Sequence, residues 1–171
     1  MKRTISGILA VLCAAGAYAG VVKNGGFEKM DGWSVALHKQ DFASIVQVTD
    51  DVQEGKTALK FEFTQKPKVY IAISRQFPLK PGFKAIKGSL KYKAPAGGGN
   101  LLFMFPKSKT KVIGLPPSQE WKTFDFNVEV PEKTPSGRIE IRFNKQGTML
   151  VDDVTAEFRD GIELSGRKRV L

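Results

Sequence analysis

Lys122–Val130 reads KTFDFNVEV, and its side chains alternate strictly. Phe124, Phe126, Val128 and Val130 fall on one side, while Asp125, Asn127 and Glu129 fall on the other. A period of two is that of a β-strand with one face in a core and one in water. The same pattern recurs in TALKFEFT, where Leu59, Phe61 and Phe63 oppose Lys60, Glu62 and Thr64. It recurs again in RIEIRFN, where Ile139, Ile141 and Phe143 oppose Arg138, Glu140, Arg142 and Asn144. Three further runs, VYIAISRQF, GSLKYKA and NLLFMF, are apolar on more than one face. Their core sets read as Val69, Ile71, Ile73, then Leu90, Tyr92, then Leu101, Phe103, Phe105. Turn-forming stretches separate the runs: KPG at 80–82, APAGGGN at 94–100, GLPPSQ at 114–119 and PEKTPSG at 131–137. No run past the first twenty residues has sustained helical spacing. The chain is therefore expected to be all-β, with about nine or ten short strands in a β-sandwich of jelly-roll topology.

The first residues stand apart from this pattern. Lys2-Arg3, the apolar run Ile5–Ala15 and the Ala17-Tyr18-Ala19 triplet read as a cleavable signal peptide over residues 1–19. The run falls short of the roughly 18 apolar residues that a bilayer span needs. The expected product is exported, to the periplasm, the cell surface or the medium. The lone Cys13 would leave with the leader, and a chain without cysteine has no disulfide, thiol nucleophile or thiolate metal site. What remains is one domain, 20–164, with a basic tail at 165–171 reading GRKR near its end. Without Lys2 and Arg3 the 27 basic residues fall to 25, against 17 acidic. Such a surplus favours anionic partners, and export makes nucleic acid the least suitable of them.

Enzymatic chemistry finds little support. His38 is the only histidine, no GxSxG elbow is present, and a single histidine without cysteine offers too few of zinc's usual ligands. The adjacent Asp152 and Asp153 point to opposite faces of a strand and cannot flank one glycosidic bond. AGGGN lacks the lysine and helix of a phosphate-binding loop and reads as a turn.

Six short motifs in order carry a family resemblance: NGGFE at 24–28, Gly32-Trp33, EGKTALKF at 54–61, LKPG at 79–82, EWKTFDF at 120–126 and LVDDVTAEF at 150–158. Together they resemble the CenC-type carbohydrate-binding modules of families four, nine and twenty-two, which share a galactose-binding-domain-like jelly roll. In such a fold Gly25-Gly26 would let the chain turn and place Phe27 in the core. Trp33 and Trp121 would bury their rings at the rim, with each indole N–H on a backbone acceptor. The resemblance implies a structural Ca²⁺ at the sandwich edge. The matching ligands are Glu28 and Asp152, with the loop Asp50–Lys56 donating carbonyls. It also implies non-catalytic binding of an extracellular carbohydrate on a sheet face.

Tyr70 is out of phase with Ile71 and Ile73, and Ser74 and Gln76 share its side; Met104, Asn127, Arg142 and Asn144 come from polar or secondary faces of other strands. The expected ligand-binding set is Tyr70, Gln76, Met104, Asn127, Arg142 and Asn144. One clear tyrosine is fewer than the family's usual stacking residues. Lys60, Lys91, Lys93 and Arg142 on non-core faces would suit an acidic or sulfated polysaccharide. The alternative is a structural or protein-interaction sandwich that contacts an envelope protein and binds no glycan.

Overall fold

The computed structural model describes residues 21–22 and 25–160. The leader at 1–19 and the tail at 165–171 lie outside them. Among the described residues the chain forms ten strands and no helix. One sheet contains β1 (Ser34–Ala36), β4 (Ile71–Pro78), β9 (Ser136–Phe143), β6 (Asn100–Met104) and β7 (Lys111–Gly114), in that order. The other runs β2 (Ala43–Val48), β3 (Ala58–Phe63), β10 (Gly147–Asp160), β5 (Phe83–Ala94) and β8 (Ser118–Glu129). Every pairing is antiparallel. The two sheets pack face to face as the expected jelly-roll β-sandwich. No helix among the described residues is long and apolar enough to cross a membrane.

The alternating residues meet between the sheets. Leu59, Phe61 and Phe63 from β3 and Ile139, Ile141 and Phe143 from β9 are all buried, as are Ile86, Leu90 and Tyr92 from β5 and Phe126 and Val128 from β8. Burying a large apolar side chain contributes about 1.5–3 kcal/mol, so this set supplies most of the drive to fold. Phe63 stacks on Phe143 across the sheets at 6.1 Å, and Phe103 meets Phe126 at 5.2 Å.

Three expectations about packing need correction. Val69 is 45% exposed, because the ladder of β4 begins only at Ile71, opposite Phe143. Trp121 donates its indole N–H to the Asp51 carboxylate at 2.6 Å, a side chain and not a backbone acceptor. At NGGFE the left-handed residue is Phe27 itself, with φ of 58°. Gly25 is there for closeness: a Cβ on it would fall 1.8 Å from the Val154 carbonyl oxygen, while its own carbonyl accepts from the Val154 N–H at 3.0 Å. Phe27, fully buried, tilts against Trp33 at 5.5 Å as expected of a core residue.

Candidate functional site

The solvent face of the β1-β4-β9-β6-β7 sheet is built by registers that follow from the alternation. One row is Ala72–Arg142–Asn100, the next Ser74–Glu140–Leu102, and the next Gln76–Arg138–Met104. The middle row is buried although it points away from the core: Ser74 is 6% exposed, Glu140 2% and Leu102 3%. Long neighbours cover it. The Glu140 carboxylate takes the Arg138 Nη2 at 2.6 Å on one oxygen and the Arg142 Nε on the other. A buried carboxylate survives when charged donors of this kind compensate its lost hydration.

The Arg142 guanidinium in turn lies over the Tyr70 ring, 4.0 Å from its centroid. His38 stands nearly perpendicular to the same ring, at 4.8 Å and 79°. Beside this group, Gly32, Ser34, Ser74, Gln76 and Arg138 line a shallow hollow of about 360 Å³. The face thus offers flat π-surface at one end and hydroxyl, amide and guanidinium donors at the other.

Of the expected ligand-binding residues, Tyr70, Gln76, Met104 and Arg142 come together here. Asn144 continues the phase of Arg142 one residue past β9. Asn127 does not join them. It sits on β8 opposite Lys87, on the outer face of the other sheet, with the sandwich between. Sequence reasoning missed Ser34, His38, Arg138 and Glu140 as parts of this face. The signal for two of them was present, since R-x-E-x-R at a spacing of two puts Arg138, Glu140 and Arg142 side by side.

The lysines invoked for an acidic ligand lie on the opposite sheet and are paired. Lys60 meets Glu62 at 3.2 Å, Lys91 meets Glu54 at 3.0 Å and Asp153 at 3.2 Å, and Lys93 meets Asp51 at 2.7 Å. The hydrogen bond from Lys93, then that from Trp121, holds the Asp51 carboxyl below its ordinary range. Bonding to Glu54 first, and then to Asp153, raises the Lys91 ammonium. The Lys91 and Lys93 pairs strap the 51–54 segment across β5 and β10.

The two expected metal ligands converge on that same segment. Asp152 is fully buried; its Oδ2 accepts from the N–H groups of Gln53 at 2.9 Å and Glu54 at 2.8 Å, and its Oδ1 from Asp153 N–H at 2.7 Å. Glu28 Oε1 accepts from Lys56 N–H at 2.9 Å, a bond that holds its carboxyl below the usual value. A carboxylate has about four lone-pair sites, so hydrogen bonds occupy most of Asp152 and leave Glu28 largely open. The loop meets both carboxylates through N–H groups and not through the expected carbonyls, so a Ca²⁺ held here would bind chiefly through Glu28, with one remaining site on Asp152. The cation beside the aspartate pair is Lys91, and it meets Asp153. No group of three or more acidic, histidine or cysteine side chains gathers among the described residues, so further oxygens would have to come from the backbone.

No family model matches the sequence, and no curated protein matches it. Solved structures do. The enzymatically active domain of bacteriophage CBA120 tailspike protein 4 superposes with a TM-score of 0.70 at 12% identity, over 82% of this chain and 21% of that one. A family 61 carbohydrate-binding module in complex with β-1,4-galactotriose matches with a TM-score of 0.61 at 15% identity, covering 82% and 99%. The CBM22-1 xylan-binding domain of Paenibacillus barcinonensis Xyn10C matches at 0.59 and 12%, covering 85% and 97%. The fold is that of a carbohydrate-binding module. This chain spans nearly the full length of those two modules and about a fifth of the tailspike, where the fold is one part of a larger protein.

Proposed function

We propose that the chain is an exported, non-catalytic carbohydrate-binding module whose glycan lies across the face of Tyr70, Gln76, Met104 and Arg142. The observation that carries this reading is the Arg142–Tyr70 stack beside the hollow of Ser34, Ser74, Gln76 and Arg138. Pyranose rings offer a C–H face and a rim of hydroxyls. A planar stack with donors beside it complements both. Glu140 is the one carboxylate on the five strands of this sheet, and two arginines occupy it, so a paired-acid hydrolytic site on those strands has no second acid. The paired state of Arg142 and of the three lysines favours an uncharged polysaccharide over the acidic one that composition suggested. No observation among the described residues favours an envelope protein as partner over a glycan.

Affinity electrophoresis in gels containing xylan, β-1,4-galactan, mixed-linked β-1,3-1,4-glucan or polygalacturonate tests this directly. Retardation is expected in at least one neutral gel, and Tyr70→Ala should weaken it about tenfold, or 1.4 kcal/mol. Retention by polygalacturonate alone would reverse the charge assignment. Unaltered retention of Tyr70→Ala would move the ligand off this face.

The proposal includes a structural Ca²⁺ at Glu28 and Asp152. When bound it would neutralise two carboxylates and tie the N-terminal segment to β10. With the ion at a hundredfold excess over its Kd, chelation is expected to remove about 2.7 kcal/mol of stability. Calorimetry with and without chelator reads this as a lower Tm, and an unchanged Tm would remove the ion from the proposal.

A further inference from the structure

The segment Leu37–Gln40 joins β1 to β2 through a tight turn in which the Gln40 N–H reaches the Leu37 carbonyl at 3.4 Å. Its two central residues, His38 and Lys39, have φ of 52° and 54°. Two successive left-handed residues make the turn that Asn-Gly forms most easily; histidine and lysine fit it less well, lysine the worse of the two. Strain of this kind persists only where the surroundings hold it. Gln40 does the holding: it is 8% exposed, donates to the carbonyls of Leu37 and Val69 at 3.3 Å each, and accepts from Lys68 N–H at 3.3 Å. Those bonds fix the turn to the segment that leads into Tyr70. The exposed His38 ring is thereby set against the Tyr70 ring at 4.8 Å.

From this arrangement we infer that His38 is a ligand-contacting residue that forms a wall beside the Tyr70 platform and selects the sugar bound there. The inference rests on the function proposed above. Arg142 already covers one face of Tyr70, which leaves that ring less free surface than an isolated stacking residue would have. His38 adds a second π-surface close to a right angle to the first. In its neutral form the imidazole also offers one hydrogen-bond donor and one acceptor, matched to a sugar hydroxyl.

The substitution His38→Asn separates the two roles, because asparagine tolerates the left-handed conformation and suits the turn. The variant is expected to melt a few degrees above the unaltered protein, yet to lose about tenfold in affinity in gels of xylan, β-1,4-galactan or mixed-linked β-1,3-1,4-glucan. His38→Ala should lose the same affinity without the gain in Tm. Undiminished affinity in both variants, in a gel where Tyr70→Ala loses it, would overturn the assignment of His38 and leave the proposed function standing. Undiminished affinity in all three variants would overturn the placement of the ligand and the role of His38 together. Absence of retardation of the unaltered protein in all three gels would overturn the glycan reading itself and this inference with it.

Discussion

Asp152→Ala is expected to lower stability by about 3–4 kcal/mol even in the presence of chelator. Its carboxylate is the common acceptor for three backbone N–H groups, those of Gln53, Glu54 and Asp153, all at 2.7–2.9 Å. A buried donor left without an acceptor costs about 1–3 kcal/mol. Gln53 and Glu54 are exposed residues, so water can reach part of the vacated space, and the sum falls toward the lower end for them. The Asp153 N–H is the more sheltered. That residue adopts φ of 45° where the β10–β5 register shifts, so the lost bond also loosens a bulge. Working in chelator separates these hydrogen bonds from any contribution of an ion. For a chain of this size the loss corresponds to a fall in Tm of about 10 °C. Urea unfolding should show a lower midpoint with the same slope, since the surface exposed on unfolding barely changes. Glycan retardation should be unaffected, because Asp152 belongs to the sheet opposite Tyr70. A loss below 1 kcal/mol would mean that the lysine pairs alone hold the 51–54 segment.

The strands were readable from KTFDFNVEV, TALKFEFT and RIEIRFN because alternation reports directly which side of a strand is dry. Alternation reports nothing about which sheet the strand joins. That is why Asn127, Lys60, Lys91 and Lys93 were grouped with Arg142 as polar-face residues, although the sandwich separates them from it. Sheet order depends on contacts between residues far apart in the chain, and the Lys93–Asp51 and Lys91–Glu54 pairs are contacts of that kind. Asp152 is legible as a carboxylate within a strand, but its compensation comes from N–H groups whose direction no side-chain pattern encodes. His38 reads in the sequence only as a lone histidine without catalytic partners, and its place on this face is hidden for a related reason: a turn of His-Lys carries none of the glycine or asparagine that marks a left-handed pair.

Glu140 carries the second large effect. Its substitution by alanine should lower both stability and binding, through the two arginines that it holds apart. Breaking a fully buried ion pair costs about 3–5 kcal/mol. Here Arg138 is 42% exposed at its side chain and Arg142 26%, so both guanidinium groups regain water when the acid is removed. The expected loss of stability is therefore nearer 2 kcal/mol. Binding should suffer more than stability suggests. Arg142 lies over Tyr70 because Glu140 fixes its Nε, and Arg138 borders the hollow because Glu140 fixes its Nη2. Release of both would dissolve the stack and the donor edge at once, for a fall in glycan affinity of about thirtyfold, near 2 kcal/mol. Glu140→Gln keeps the volume and one carbonyl acceptor, and should retain part of both properties. A double-mutant cycle with Arg142→Ala distinguishes organisation from simple contact. Coupling above 1 kcal/mol in affinity is expected, because the second substitution removes an arginine that the first has already released. Additive losses would show instead that Glu140 and Arg142 act independently on the ligand, and that the buried carboxylate does not organise this face.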